Sequence, residues 1–192
     1  MNIDWQEHYT DRKNRPVASF LVKATSFLQN KGIAVDLGTG DLVDAQFLLS
    51  QGFSKVIAID KELPPQALLE QLPKNNFEFI QSPFDEFVFP VKEYDLVNAH
   101  YALPFNSPKT FEKVWNGIEQ SLATEGVFVG QFFGVRDQWN EQEREFTFHT
   151  KSEVEDLFSN MEVLEFEEEE IDRKLASGVV KHWHLFHVIA KA

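Results

Sequence analysis

The sequence predicts an α/β fold: a doubly wound, mostly parallel seven-stranded sheet with an antiparallel C-terminal hairpin strand. Three observations predict it. Short apolar runs alternate with stretches of helical periodicity, the order that builds a parallel sheet covered on both faces. The first run, Ile33-Ala34-Val35-Asp36-Leu37, is punctuated by Gly38-Thr39-Gly40, a strand ending in a tight turn. The last two runs, Met161 to Glu170 and His182 to Ala190, are joined only by a turn that includes Ser177-Gly178, so they pair as a hairpin at the sheet edge.

Each element has its own signal. Phe20, Leu21, Ala24, Phe27 and Leu28 recur at helical spacing after Pro16, which suits a first turn, and Gly32 closes that helix. Asp44 to Gln51 is a helix stopped by Gly52. Lys55 to Asp60 is the second buried strand. Pro64 opens a helix through Leu68, Leu69 and Leu72, which Pro73 ends. Phe77 to Ile80 and Tyr94 to Asn98 read as the third and fourth strands. Thr110 to Leu122 is an amphipathic helix, and Gly126 to Phe133 a fifth strand. Thr150-Lys151-Ser152-Glu153, leading into Val154, Leu157 and Phe158, has the pattern of a capping box.

The chain of 192 residues fits one domain, 1–192, with no linker and no repeat. Its 43 % hydrophobic content, with 19 Phe, is enough for a sizeable core. It has no cysteine, which removes disulfides, thiolate metal sites and thiol nucleophiles. The segment Met1-Asn2-Ile3-Asp4-Trp5 lacks the charge and apolar order of a secretory signal. No apolar run approaches the ~20 residues that span a bilayer. A cytoplasmic protein without a membrane partner is expected. The net charge of −13 repels a phosphate backbone, and Arg12-Lys13-Asn14-Arg15 is the only basic cluster, so no nucleic-acid partner is expected. Small molecules suit such a surface better.

The most informative stretch is Asp36-Leu37-Gly38-Thr39-Gly40-Asp41 together with Ala58-Ile59-Asp60. Glycines after a first strand let the chain turn sharply and let a ligand approach the backbone. An acidic residue ending the second strand accepts hydrogen bonds from both hydroxyls of a ribose. These features suit any adenosine-containing cofactor. The turn's two carboxylates, Asp36 and Asp41, discriminate: they repel a pyrophosphate at close range but tolerate an ammonium and a sulfonium. The charge pattern therefore favours S-adenosyl-L-methionine over NAD.

With these residues the chain resembles a class I S-adenosylmethionine-dependent methyltransferase of Rossmann-like fold, from the glycine turn to the carboxy-terminal hairpin. More narrowly it resembles the small tellurite-resistance and thiopurine-type branch, in Tyr94-Asp95-Leu96-Val97-Asn98-Ala99-His100-Tyr101-Ala102-Leu103-Pro104-Phe105 and in His182-Trp183-His184-Leu185-Phe186-His187-Val188. The resemblance implies that Asp36, Gly38, Thr39 and Gly40 line the methionine end of the cofactor. It puts Asp60 on the ribose and Lys61 beside the adenine. Ser82 or Pro83 would offer main chain to the adenine, with Phe84 packing nearby. Asn98 and Ala99 would present main chain to the methionine portion. The family's usual third glycine is replaced by Asp41.

Methyl transfer is an in-line displacement with an already activated leaving group, so alignment is the protein's main contribution and no particular catalytic residue is demanded. A base matters only when the acceptor must lose a proton. His100 and Tyr101 are the nearest candidates for base or substrate contact; they equally suit packing at a strand end. Trp5 and Tyr9 suit a lid over the cofactor, and Arg15 a partner for its carboxylate, or else this leader merely covers the sheet. Trp139, in the polar insert from Arg136 to Glu141, joins Phe133, Phe146 and Phe148 as a candidate aromatic wall for the acceptor. His182 and His184 share one strand face and His187 takes the other, too thin a pattern to expect a metal. The Glu165 to Glu170 run reads as a solvated edge that discourages sheet aggregation.

Two other functions fit parts of the pattern. A non-catalytic S-adenosylmethionine-binding sensor would keep Asp36, Gly38, Gly40 and Asp60 without an acceptor pocket. A nicotinamide-dependent oxidoreductase would need the G-x-G-x-x-G turn that is missing here. The acceptor is a small molecule of open identity: the acidity favours neutral or cationic compounds, and the narrower resemblance favours soft S, Se or Te nucleophiles.

Overall fold

The computed structural model describes residues 15–142, 144–174 and 178–192. Helix α1 (Ser19–Thr25) leads into strand β1 (Ile33–Leu37), helix α2 (Val43–Ser50), strand β2 (Lys55–Asp60) and the single-turn helix α3 (Gln66–Leu69). Strands β3 (Phe77–Gln81) and β4 (Tyr94–Ala99) follow, then helix α4 (Pro108–Ser121) and the long strand β5 (Leu122–Gly134). Two-residue β6 (Phe148–His149), helix α5 (Lys151–Leu157), and strands β7 (Glu162–Lys174) and β8 (Val180–Lys191) complete the chain.

The strands form one sheet in the order β3-β2-β1-β4-β5-β8-β7, with β6 pairing β5 separately. Every pairing is parallel except those of β8, which runs antiparallel to both β5 and β7. The seven predicted strands are therefore present, the hairpin among them. The eighth, β6, escapes a reading based on periodicity because two residues have none. The strand order reverses between β1 and β4, so a crevice opens beyond their carboxyl ends.

Both faces are covered, which explains why β1 and β2 read as continuous apolar runs. On one face Phe111, Val114, Trp115 and Ile118 of α4 pack on Phe128 and Phe132 of β5 and on Phe158 and Phe186. Ser107 caps α4, its Oγ accepting from the Lys109 N–H at 3.4 Å, and Pro108 fills the first helical position. On the other face Leu21 and Ala24 of α1 and Leu48 of α2 pack on Val56, Leu96, Val129 and Ile189. The capping box of α5 is present: Thr150 and Glu153 exchange side-chain and backbone hydrogen bonds.

Some bounds differ from those predicted. Helix α1 starts at Ser19 and ends at Thr25, so Pro16 precedes the first turn and does not occupy it. The helix opened by Pro64 shrinks to Gln66–Leu69, because with no buried residue it has little tertiary packing to extend it. Trp5 and Tyr9, Arg12 to Asn14, and Ser177 of the hairpin turn lie outside the described residues. Among the described residues no helix is long and apolar enough to cross a membrane.

Candidate functional site

The turn after β1 is built by positive backbone angles: Gly38 has φ 71°, Gly40 φ 49° and Leu42 φ 63°. The Gly38 N–H donates to the Ile59 carbonyl of β2 at 2.8 Å. The Gly40 N–H donates to Asp60 Oδ2 at 3.0 Å, and the Glu62 N–H to Asp60 Oδ1 at 3.0 Å. The glycine turn and the acid that ends β2 are thus tied into one rim. Ser82 joins them, its N–H donating to the Asp60 carbonyl at 3.0 Å. Phe84 reaches the same rim, since a Cβ placed on Gly38 would lie 3.7 Å from its ring. Lys61 is exposed at the end of β2.

Asp36, near the carboxyl end of β1, is buried. Its Oδ2 accepts from the Thr39 hydroxyl at 2.6 Å and its Oδ1 from the Asn98 amide of β4 at 2.7 Å. Burial, with the nearby Asp44 charge, pushes its carboxyl up to about 7, against the pull of those two hydrogen bonds. Asn98 is fully buried, and its Oδ1 has no hydrogen-bond partner among the described residues. A buried carboxylate beside an orphaned carbonyl oxygen is an acceptor set for a cation that carries N–H groups. It is a poor one for a phosphate.

Arg15 spans two carboxylates at the start of α2. Its guanidinium holds Asp41 at 2.8 and 2.9 Å and Asp44 at 3.0 and 3.2 Å. Burial disfavours its charge, but Asp44 and Asp41 more than compensate and raise its pKa. Burial likewise opposes ionisation of Asp44, yet His100 and Arg15 together hold that carboxyl down to about 2. The Asp44 carboxylate lies 3.5 Å from His100 Nδ1.

Past Ala99 the chain turns so that His100 and Tyr101 overhang the sheet. Tyr101 has φ 49°, and its N–H donates to the Gln131 side chain of β5 at 2.8 Å. Between them and α1 lies a cleft of about 310 Å³, lined by Phe20, His100, Tyr101, Gln131, Glu169 and His187 among others. A second hollow of about 420 Å³ adjoins it through Ser19, His100 and Tyr101 and reaches Arg15. Farther along the same strands Trp139, Phe133, Phe146, Phe105 and Trp183 form an aromatic cluster, and Tyr101 meets Trp183 at 6.1 Å between ring centres.

Known structures share this fold. A Burkholderia thailandensis 1,6-didemethyltoxoflavin-N1-methyltransferase, solved with S-adenosylhomocysteine, superposes with a TM-score of 0.70 at 20 % identity, over 98 % of this chain and 85 % of that one. TehB from Haemophilus influenzae gives 0.74 at 12 % identity, over 97 % of this chain and 66 % of that one. An S-adenosylmethionine-dependent methyltransferase from Methanosarcina mazei gives 0.67 at 17 % identity, over 92 % and 98 %. The chain has the class I methyltransferase fold. Neither a protein-family model nor a curated protein matches its sequence.

Within that class I fold, hydrogen bonds join Asp36 to Thr39 and Asn98, and Asp60 to Gly40 and Ser82, at the carboxyl ends of β1 to β4. Phe84 lies beside Gly38, and Pro83 and Ala99 adjoin these residues in the chain. His100 and Tyr101 border the cleft. Trp139 is half-buried in the aromatic cluster and does not line the cleft. Sequence reasoning missed Gln131, Glu167 and Glu169 as groups at the cleft, and Asp44 as the carboxylate between Arg15 and His100. It put His187 on the face opposite His182 and His184, as observed, but gave it no role. The β5–β8 register pairs Gln131 with His187, a juxtaposition that strand periodicity alone does not fix.

One substitution tests the turn. Alanine at Gly38 would have to adopt φ 71° and set its Cβ 2.7 Å from the Ala102 Cβ. Gly38→Ala should lower the unfolding free energy by about 1–3 kcal/mol in urea titrations. A loss below ~0.5 kcal/mol would mean that the turn relaxes freely.

Proposed function

We propose that this protein is an S-adenosyl-L-methionine-dependent methyltransferase acting on a small-molecule acceptor, active in the cytoplasm as a single domain. The observation that carries the reading is the acceptor pair at the switch point: the Asp36 carboxylate and the orphaned Asn98 Oδ1, 62 residues apart in sequence, lie side by side in a fold shared with methyltransferases. An ammonium satisfies both. Asp60, held by the Gly40 and Glu62 N–H groups, keeps its carboxylate placed for a ribose. Ser82, Pro83 and Phe84 border the adenine position and Lys61 stands at its exposed edge. Gly38 and Ala99 bring main chain close to the methionine portion. Arg15 offers a cation to that portion's carboxylate, shared with Asp41 and Asp44.

The cofactor supplies a methyl group on a positively charged sulfur. The protein's part is to align an acceptor with it and to exclude water. His100 sits where β4 ends, with the Asp44 carboxylate 3.5 Å from its Nδ1. In this reading that contact orients the ring and leaves Nε2 as the base for an acceptor that must lose a proton. The adjoining cleft favours an enzyme over a sensor, because a binding module needs no second cavity.

Incubating the protein with methyl-labelled S-adenosylmethionine and a panel of small nitrogen, oxygen and sulfur nucleophiles should yield a labelled small molecule, read by mass spectrometry. Binding of S-adenosylhomocysteine with no labelled product across the panel would favour the sensor.

A further inference from the structure

The walls of the cleft select among acceptors. From β7, Glu167, Glu169 and Arg173 face it; Arg173 is held by Glu169 at 2.6 Å. From the β4 end comes His100, backed by the Asp44 carboxylate. Gln131 lies on β5, and α1 contributes only the uncharged Ser19 and Phe20. An anionic acceptor, whether an oxyanion or a thiolate, would meet two carboxylates and one arginine already paired. That balance disfavours it.

His187 adds a second, independent observation. Its side chain is 11 % exposed, its Nε2 lies 3.5 Å from Glu169 Oε2, and its Nδ1 is buried without a hydrogen-bond partner among the described residues. Burial lowers its pKa, against the raising effect of Glu169. With the proton on Nε2 toward Glu169, Nδ1 is an acceptor that lacks a donor. The Phe20 ring stacks on the imidazole, 4.9 Å between ring centres at 25°, and lines the cleft beside it.

We propose that the cleft takes a small planar molecule bearing N–H groups, an aromatic amine or nitrogen heterocycle, that donates to His187 and is methylated on nitrogen. This rests on the methyltransferase reading above. The acceptor nitrogen's electron pair forms the new bond to the methyl carbon as the carbon–sulfur bond breaks, with its pair kept by sulfur. The nitrogen's proton passes to His100. The assignment sets aside the soft S, Se or Te nucleophiles that the narrower resemblance favours.

The test is binding of benzimidazole, with benzenethiol and benzoate as comparators, followed on the imidazole NMR signals of the wild-type protein. S-adenosylhomocysteine is titrated by calorimetry in parallel. Benzimidazole should shift the His187 signals, and His187→Asn should weaken its binding by about tenfold or more, while benzoate and benzenethiol shift nothing. The wild-type shifts stand even where the variant folds poorly. Tighter binding of benzoate or benzenethiol, or binding of S-adenosylhomocysteine with no response of His187 to benzimidazole, would overturn the inference and leave the methyltransferase reading intact. A His187 response to benzimidazole without S-adenosylhomocysteine binding would support the N–H cleft and overturn the reading on which N-methylation rests.

Discussion

Asp137→Ala should destabilise the protein by about 3–5 kcal/mol, the usual effect of leaving one member of a buried ion pair without its partner. Lys181 and Asp137 are each 1 % exposed, and Lys181 Nζ donates to both carboxylate oxygens at 2.6 Å. The ammonium sits 3.6 Å from the centre of the Trp183 ring and 4.3 Å from that of Trp139. Asp137 also accepts from the main-chain N–H groups of Trp139 and His184, at 2.9 and 3.2 Å. One carboxylate thus pins the insert after β5 to the carboxyl half of the sheet, beside the cleft. Burial lowers the Lys181 pKa and Asp137 offsets it, so removing the carboxylate leaves an ammonium with little solvent. Adding Lys181→Met should recover much of the loss, because the aromatic walls accept an apolar chain of that shape. Chemical denaturation of both variants checks this. A cost under ~1 kcal/mol for the single change would show that Lys181 finds another partner.

Asp36→Asn should weaken cofactor binding by at least about thirtyfold while making the ligand-free protein more stable at pH 8. The sign follows from the carboxyl, which titrates near 7 in the folded protein and near 3.9 when unfolded. The folded state holds the extra proton between those values, so the stability this group contributes is present in full below ~4 and is lost as pH rises through about 7. Wild-type stability should fall between pH 5 and 8 by something on the order of a few kcal/mol, and the asparagine variant should escape that part of the decline. Affinity for S-adenosylmethionine runs the opposite way. An ammonium favours the ionised carboxylate, so binding should strengthen as pH rises through 7 and flatten above it. Binding that ignores pH in the wild type would show that Asp36 is already charged without ligand.

The glycine turn and Asp60 were legible in sequence because each is a local pattern: a strand, a tight turn, one helix, a second strand. The hairpin was equally local. The rest of the site was not. Asp44 reads as an ordinary first-turn carboxylate of α2 until the segment before α1 brings Arg15 to it and the turn after β4 brings His100. Glu167 and Glu169 read as a solvated edge. Part of that run does face outward, where Arg136 bridges Glu168 and Glu170 at the His184 ring. The alternating residues instead face the cleft, because period-two geometry divides one acidic run between two faces. Trp139 reads as a wall of the acceptor site, but its partners lie on β5, β8 and the turn after β4. Such contacts are set by register across the sheet, which a linear pattern does not carry.

The most direct test of the central claim is calorimetric titration of the wild type and of Asp60→Ala with S-adenosylmethionine, S-adenosylhomocysteine and NAD. The structure predicts binding of both adenosyl ligands, no measurable binding of NAD, and a marked loss of adenosyl binding in the variant. Tighter binding of NAD, or no adenosyl binding to the wild type, would contradict the account and leave only the fold.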